Sequence, residues 1–139
     1  MKNWRAILPP FGLLWLRFWM GLGIAHHGFQ KLFGGRMDMF SDAVAKMGLP
    51  APEFLAWMAA LSEFLGGLLI LIGYGTRWAA LFIAITMSVA VFIHHSGDPF
   101  KMKELAISYL VASIALFMMG SGEYSINKFL ADRAKKPKN

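Results

Sequence analysis

Cysteine is absent from the 139 residues. That absence excludes thiol–disulfide exchange, iron–sulfur ligation and covalent haem attachment within this chain. Any redox role must therefore move electrons through something other than the chain's own sulfur. Charge is scarce as well. Only 16% of residues are charged and 57% are hydrophobic, with a mean hydropathy of +0.50, far from an ordinary soluble domain. No nucleophile–base pair, metal-ligand set or nucleotide-binding motif is visible, so the isolated chain is not expected to act on a soluble substrate. Internal repeats and low-complexity segments are missing too.

What is present is apolar length. Four stretches, at about residues 11–33, 54–74, 76–95 and 104–122, are long enough to cross a hydrocarbon core, which takes roughly 20 apolar residues per helix. Their continuity argues for helices, since barrel strands would alternate with period two. The first stretch is too long for a cleavable signal, holds Arg17 and lacks a small-residue cleavage site, so it reads as a retained helix. The expected architecture is all-α: one integral membrane four-helix bundle over residues 1–139. Met39, Phe40, Ala43, Val44 and Met47 recur at helical spacing in the long first connection. They predict a short amphipathic interfacial helix lying over the bundle between helices one and two, closed by Gly48 and Pro50.

The cations give a topology. With the amino terminus inside, the inner side carries Lys2, Arg5, Arg77, Lys128, Arg133, Lys135, Lys136 and Lys138, and the outer side Lys31, Arg36, Lys46, Lys101 and Lys103. That bias predicts both termini in the cytoplasm of a cell bounded by a bacterial-type plasma membrane. The basic tail Arg133–Asn139 fits anionic lipid better than nucleic acid, and the bilayer is the first expected partner.

Two ionisable residues interrupt the apolar runs: Arg17 in the first and Glu63 in the second. Such groups cost several kcal/mol in a membrane unless they face the bundle interior and find partners, and are functional-site candidates by default. Their opposite charges suggest a pair. At about 100° per residue, Arg17, Gly21, Ile24, Gly28 and Lys31 share one stripe of helix one. Ala59, Glu63, Gly66 or Gly67, Ile70 and Gly73 form a matching stripe on helix two. Small residues let membrane helices approach closely, so these stripes are expected to meet. On helix three Leu81, Ala84, Ser88, Val91 and His95 share a face, and on helix four Glu104, Ser108, Ala112, Ala115 and Met119 do so.

The four histidines form two adjacent pairs, His26-His27 and His94-His95, both toward the outer side. His27 and His95 lean inward and His26 outward. Neighbouring histidines point about 100° apart and cannot share one metal ion undistorted, so no metal site is expected. Haem held by His27 and His95 is disfavoured, because counting rise per residue sets them at different depths. Lys31, His95 and Glu104 come out near the surface, His27 deeper, then Glu63 and Arg17. These six residues are the candidate cofactor-binding set, a polar ladder able to hold a polar head group or pass protons. A cavity lined by His27, Glu63 and His95 is expected between helices one, two and three. The scattered methionines read as packing.

The ordered motifs resemble those of the DoxX family of small four-helix membrane proteins along nearly the whole chain. They run from Arg17 through Gly28-Phe29-Gln30-Lys31-Leu32, Met47-Gly48-Leu49-Pro50, Glu63-Phe64-Leu65-Gly66-Gly67 and Gly73-Tyr74-Gly75-Thr76-Arg77. They continue with Phe92-Ile93-His94-His95, Lys103-Glu104-Leu105-Ala106 and Gly120-Ser121-Gly122-Glu123-Tyr124. Ser121 and Asn127 depart from the pattern, which often has Pro and Asp there. The related DoxD-type proteins are associated with a thiosulfate:quinone oxidoreductase, and DoxX relatives with membrane redox and oxidative-stress assemblies. The resemblance thus implies a redox-linked subunit that contacts quinone or handles protons, with a redox partner subunit. A non-catalytic assembly or scaffold protein with structural buried charges is the alternative, and a homo-oligomer is open under either. The topology is testable by cysteine-accessibility labelling. A probe at Ser96 should react from outside and one at Thr76 should not, and outside labelling at Thr76 would overturn the orientation.

Overall fold

The computed structural model describes residues 4–135, with Arg5 seen by its backbone alone. Lys2, Lys136 and Lys138, which entered the cation balance, and the end of the basic tail lie outside the described residues. The described residues form six α-helices: α1 (Trp4–Leu32), α2 (Met37–Lys46), α3 (Pro52–Ile72), α4 (Thr76–Val89), α5 (Phe100–Met119) and α6 (Ile126–Ala134). A π-helical turn, Ala90–His94, extends α4. Among the described residues four helical stretches are long and apolar enough to cross a membrane: Ala6–Leu32, Pro52–Ile72, Thr76–His94 and Phe100–Met119. The all-α four-span bundle is therefore what forms, with the short helix α2 where its amphipathic spacing placed it.

The boundaries shift for identifiable reasons. Helix α1 runs back through Pro9 and Pro10 rather than starting at Phe11, and over 29 residues it is roughly 43 Å long at 1.5 Å per residue. Pro52 opens α3 at a first-turn position, where its missing N–H costs nothing. At the other end Gly73 closes it with φ 74°, a left-handed conformation that a Cβ would strain. Helix α5 starts at Phe100, directly after Pro99, four residues before the expected start.

Helix α1 packs along α3, α3 against α4 and α4 against α5, while α5 closes back on α1 and α2 rests on α3. The shared core is Met20, Ile24, Ile70, Ala79, Ala80, Ile83, Met87 and Leu116. Large apolar side chains such as Trp15, Phe18, Leu65, Val111 and Phe117 point outward instead. An outside that is apolar, with glycine and alanine where the helices meet, suits a bundle solvated by lipid, where close van der Waals packing replaces the hydrophobic drive.

The antiparallel α1–α3 seam follows the two predicted stripes. A Cβ on Gly67 would stand 2.6 Å from the Ala25 nitrogen, and one on Gly21 would stand 2.7 Å from the Gly67 carbonyl oxygen. Gly28 likewise lies hard against the backbone of Phe64. The faces read for the other two spans are less accurate. The inward side of α4 runs through Ala80, Ile83, Met87 and Val91, and that of α5 through Tyr109, Ser113 and Leu116. The α5 face is thus rotated by about one residue from the expected stripe, which leaves Glu104 and Ser108 exposed. Thr76 is buried, with its hydroxyl bonded by Ser121, so exposed Tyr74 is the better labelling probe for that turn.

The seam predicts a contrast between two glycines of one sequence type. Gly67→Ala must force α1 and α3 apart and should destabilise the bundle by about 1–3 kcal/mol, in the range of core overpacking. Gly12→Ala, which meets nothing within 4 Å, should leave the melting temperature unchanged or raise it. Thermal melting in detergent compares the two directly.

Candidate functional site

Arg17 and Glu63 are both buried, at 1% and 2% exposure, but they do not pair with each other. The antiparallel register sets Glu63 opposite the carboxyl end of α1 and Arg17 opposite the carboxyl end of α3. Arg17 and Lys31 are 14 positions apart on the helix, roughly 21 Å. Arg17 spends its guanidinium on carbonyl groups. Its Nε donates to Ile70 O at 3.0 Å and Nη2 to Leu71 O at 3.2 Å. Nη1 donates to Ser121 O at 2.6 Å and Tyr124 O at 2.8 Å. Ile70 and Leu71 are in the last turn of α3, where carbonyls lack the regular i+4 donor; Ile70 O also accepts the Gly73 N–H, at 3.1 Å. A single planar cation thus caps α3 and ties the Ser121–Tyr124 loop to it. Arg17 stands apart from the rest of the candidate set.

Glu63 instead takes Lys31. The Nζ of Lys31 donates to Oε1 at 2.7 Å and to Oε2 at 2.5 Å. Lys31 is 21% exposed, and its ammonium also lies 4.2 Å from the ring centroid of Phe40 on α2. The carboxylate is therefore deep and the ammonium reaches down to it from the end of the bundle covered by α2.

Two cavities meet at this ion pair. One, of about 340 Å³, is bounded by α2, α3 and α4 through Phe40, Val44, Met58, Phe82, Ile85 and Val89. Ser62 and Thr86, whose hydroxyls are 2.9 Å apart, supply nearly all of its neutral polar lining. The other, of about 220 Å³, lies among α1, α4 and α5 and is lined by His27, Lys31, Glu63, His95 and Tyr109. Lys31, Phe40, Glu63, Ala90 and His94 border both. The expected cavity lined by His27, Glu63 and His95 is therefore present, with α5 as an additional wall.

His27 and His95 line one cavity. The tyrosine ring of Tyr109 stands edge-on to His27 at 5.8 Å. His95 Nδ1 is 2.7 Å from Asp98 Oδ2, and outward-facing His26 bonds Gln30. Glu104 is exposed and borders neither cavity, a consequence of the rotated face of α5. Of the six candidates the structure brings together His27, Lys31, Glu63 and His95. Among the described residues no three His, Asp or Glu side chains gather as a metal site would require.

Three participants escaped the sequence reading: His94, Tyr109 and Phe40. The π turn carries an i→i−5 bond from His95 N to Ala90 O, 3.0 Å. It breaks the α spacing so that both histidines reach the cavity, and single π turns are frequent at functional sites. For Tyr109 a signal existed in Gly23, which leaves room for the phenol oxygen.

Four apolar spans around a buried ion pair define a multi-pass membrane protein with an intramembrane polar site. The chain belongs to the DoxX family, whose model matches residues 12–96. It is 33% identical over 130 residues to the inner membrane protein YqjF of Escherichia coli K12, covering 88% of this chain and 95% of that protein. It is 31% identical over 122 residues to a Bacillus subtilis 168 protein named "Putative oxidoreductase CatD", covering 86% and 87%. A shorter match, 38% over 72 residues, links it to the inner membrane protein YphA of E. coli K12, about half of either chain. No solved structure matches. The inner-membrane relatives and the four apolar helices together support a multi-pass inner-membrane protein.

The two buried charges should respond differently to removal. Arg17→Ala leaves the Leu71, Ser121 and Tyr124 carbonyls without this donor, while Ile70 O keeps the Gly73 N–H, and should cost at least about 3 kcal/mol, given 1–3 kcal/mol per stranded buried group. Glu63→Gln keeps an acceptor for Lys31 and should cost about 1 kcal/mol. Detergent melting of the two variants reads the order, and the reverse order would refute these separate roles.

Proposed function

We propose that the chain is a quinone-contacting, proton-handling subunit of a membrane redox complex, with both termini cytoplasmic. The observation that carries this reading is the Lys31–Glu63 pair at the junction of an apolar cavity and a histidine-lined one. The apolar cavity falls within the 300–1,000 Å³ of ordinary ligand sites. Its walls suit a ring and isoprenoid tail, and Lys31 offers a donor where a quinone carbonyl would lie. The residues present thus fit the group.

Quinone, when bound, supplies a two-electron, two-proton acceptor. The chain's own contribution is binding, orientation and proton handling. Lys31 orients the oxygen, Phe40 and Val44 exclude water from above, and Glu63 holds or releases a proton at its carboxylate. His27 and His95 stand on the other side of Glu63, where an imidazole can pass a proton between its ring nitrogens and water. With no cysteine in the chain, the electrons come from a partner subunit. The name of the B. subtilis relative points the same way.

A second reading has its own observation: among the described residues every buried side-chain nitrogen and oxygen has a hydrogen-bond partner. Charges so completely satisfied also suit a non-catalytic assembly or scaffold protein. One titration separates the two. Quinone added to purified protein should raise its melting temperature, as any ligand favouring the folded state does. The paired variant Lys31→Met with Glu63→Gln, which keeps the site neutral, should fold and lose the shift. An unchanged melting temperature across a saturating titration of the unaltered protein would select the scaffold reading.

A further inference from the structure

The end of the bundle opposite the ion pair holds a separate cavity of about 430 Å³. Its walls are the first turn of α4, the segment Met119–Gly122 after α5, and the start of α6. Two cations line it, Arg77 and Lys128, and no Asp or Glu does. Arg77 meets no carboxylate among the described residues, and its Nη2 reaches only the Met118 carbonyl, at 3.5 Å. Gly120 makes room for that guanidinium, because a Cβ there would stand 3.1 Å from its Nε. Lys128 lies 3.3 Å from Asp132 and 4.0 Å from Glu123, carboxylates that are more than half exposed and outside the cavity. The neutral polar wall is ordered. Asn127 Nδ2 donates to Ser121 Oγ at 2.9 Å, and Ser121 Oγ donates to Thr76 Oγ1 at 3.0 Å.

We propose that this cavity binds the phosphate of an anionic phospholipid. Arginine without a counter-charge beside a polar cavity is the chemistry that takes a phosphate oxygen. The surroundings choose a lipid over a soluble anion. Trp78 and Met119 line the cavity and are 69% and 50% exposed on the apolar flank of the bundle, where acyl chains would lie. The exposed Ile126, Phe129 and Leu130 give α6 an apolar face, with Lys128 and Arg133 among its polar residues. That pattern suits a helix lying in the head-group layer. The site is remote from the Lys31–Glu63 pair and does not depend on what binds there.

The test uses the full chain in neutral detergent, titrated with phosphatidylglycerol, phosphatidylcholine or inorganic phosphate, and read by melting temperature and by native mass spectrometry. Phosphatidylglycerol should remain bound and raise the melting temperature, with a shift that shrinks in high salt, while the zwitterionic lipid should do neither. Arg77→Gln with Lys128→Gln should weaken phosphatidylglycerol binding at least tenfold. Arg77→Lys with Lys128→Arg, which keeps both charges, should retain the preference for the anionic lipid. Equal shifts from the two lipids would overturn the proposal whether or not the neutral variant folds. An equal shift from inorganic phosphate would assign a soluble-anion site and overturn the lipid assignment.

Discussion

The close antiparallel approach of α1 and α3 sets the positions of every other polar feature. Gly21, Gly28 and Gly67 allow backbone to meet backbone, and once that seam is in register the two ends are determined. At one end Arg17 reaches the last carbonyls of α3, and at the other Lys31 reaches Glu63. A slip by one helical turn would move both cations away from their acceptors. In hydrocarbon, where water offers no substitute partner, such a slip would expose charges and carbonyls together.

The two cations therefore solve different problems with different chemistry. Arginine presents several donors in a fixed plane, which suits four converging carbonyls from two segments. Lysine presents a compact charge on a flexible stem, which suits one carboxylate beside a cavity. The Arg17 guanidinium is enclosed by its carbonyl partners and lines none of the cavities described. The Lys31 end borders open space on two sides and is covered by a short amphipathic helix. That asymmetry is why the proposed chemistry is assigned to one end of the molecule.

Much of this was legible in the residues themselves. Span number, the small helix α2 and the facing stripes of α1 and α3 follow from apolar length and small-residue spacing. The partner of Arg17 was not legible, because backbone carbonyls carry no side-chain signature and a nearby Glu is the more visible acceptor. Lys31 and Glu63 were both in the predicted stripes, yet only the antiparallel register shows that they face each other. The inward side of α5 was misread because its apolar residues surround the helix, leaving little periodicity to fix an angle. Glu104 was misplaced for that reason. His94 was missed because no residue pattern announces a π turn.

That π turn at Ala90–His94 also matters for how the protein can change over evolution. A helix with one surplus residue can lose it and close into an ordinary α-helix, and everything beyond the deletion then turns by about 100°. The inner part of α4, which holds the core, would keep its packing, while the histidine pair would swing away from its cavity. Changes of a single residue in length at this point, rather than substitutions of the histidines, are thus a route by which relatives could keep the bundle and exchange its chemistry.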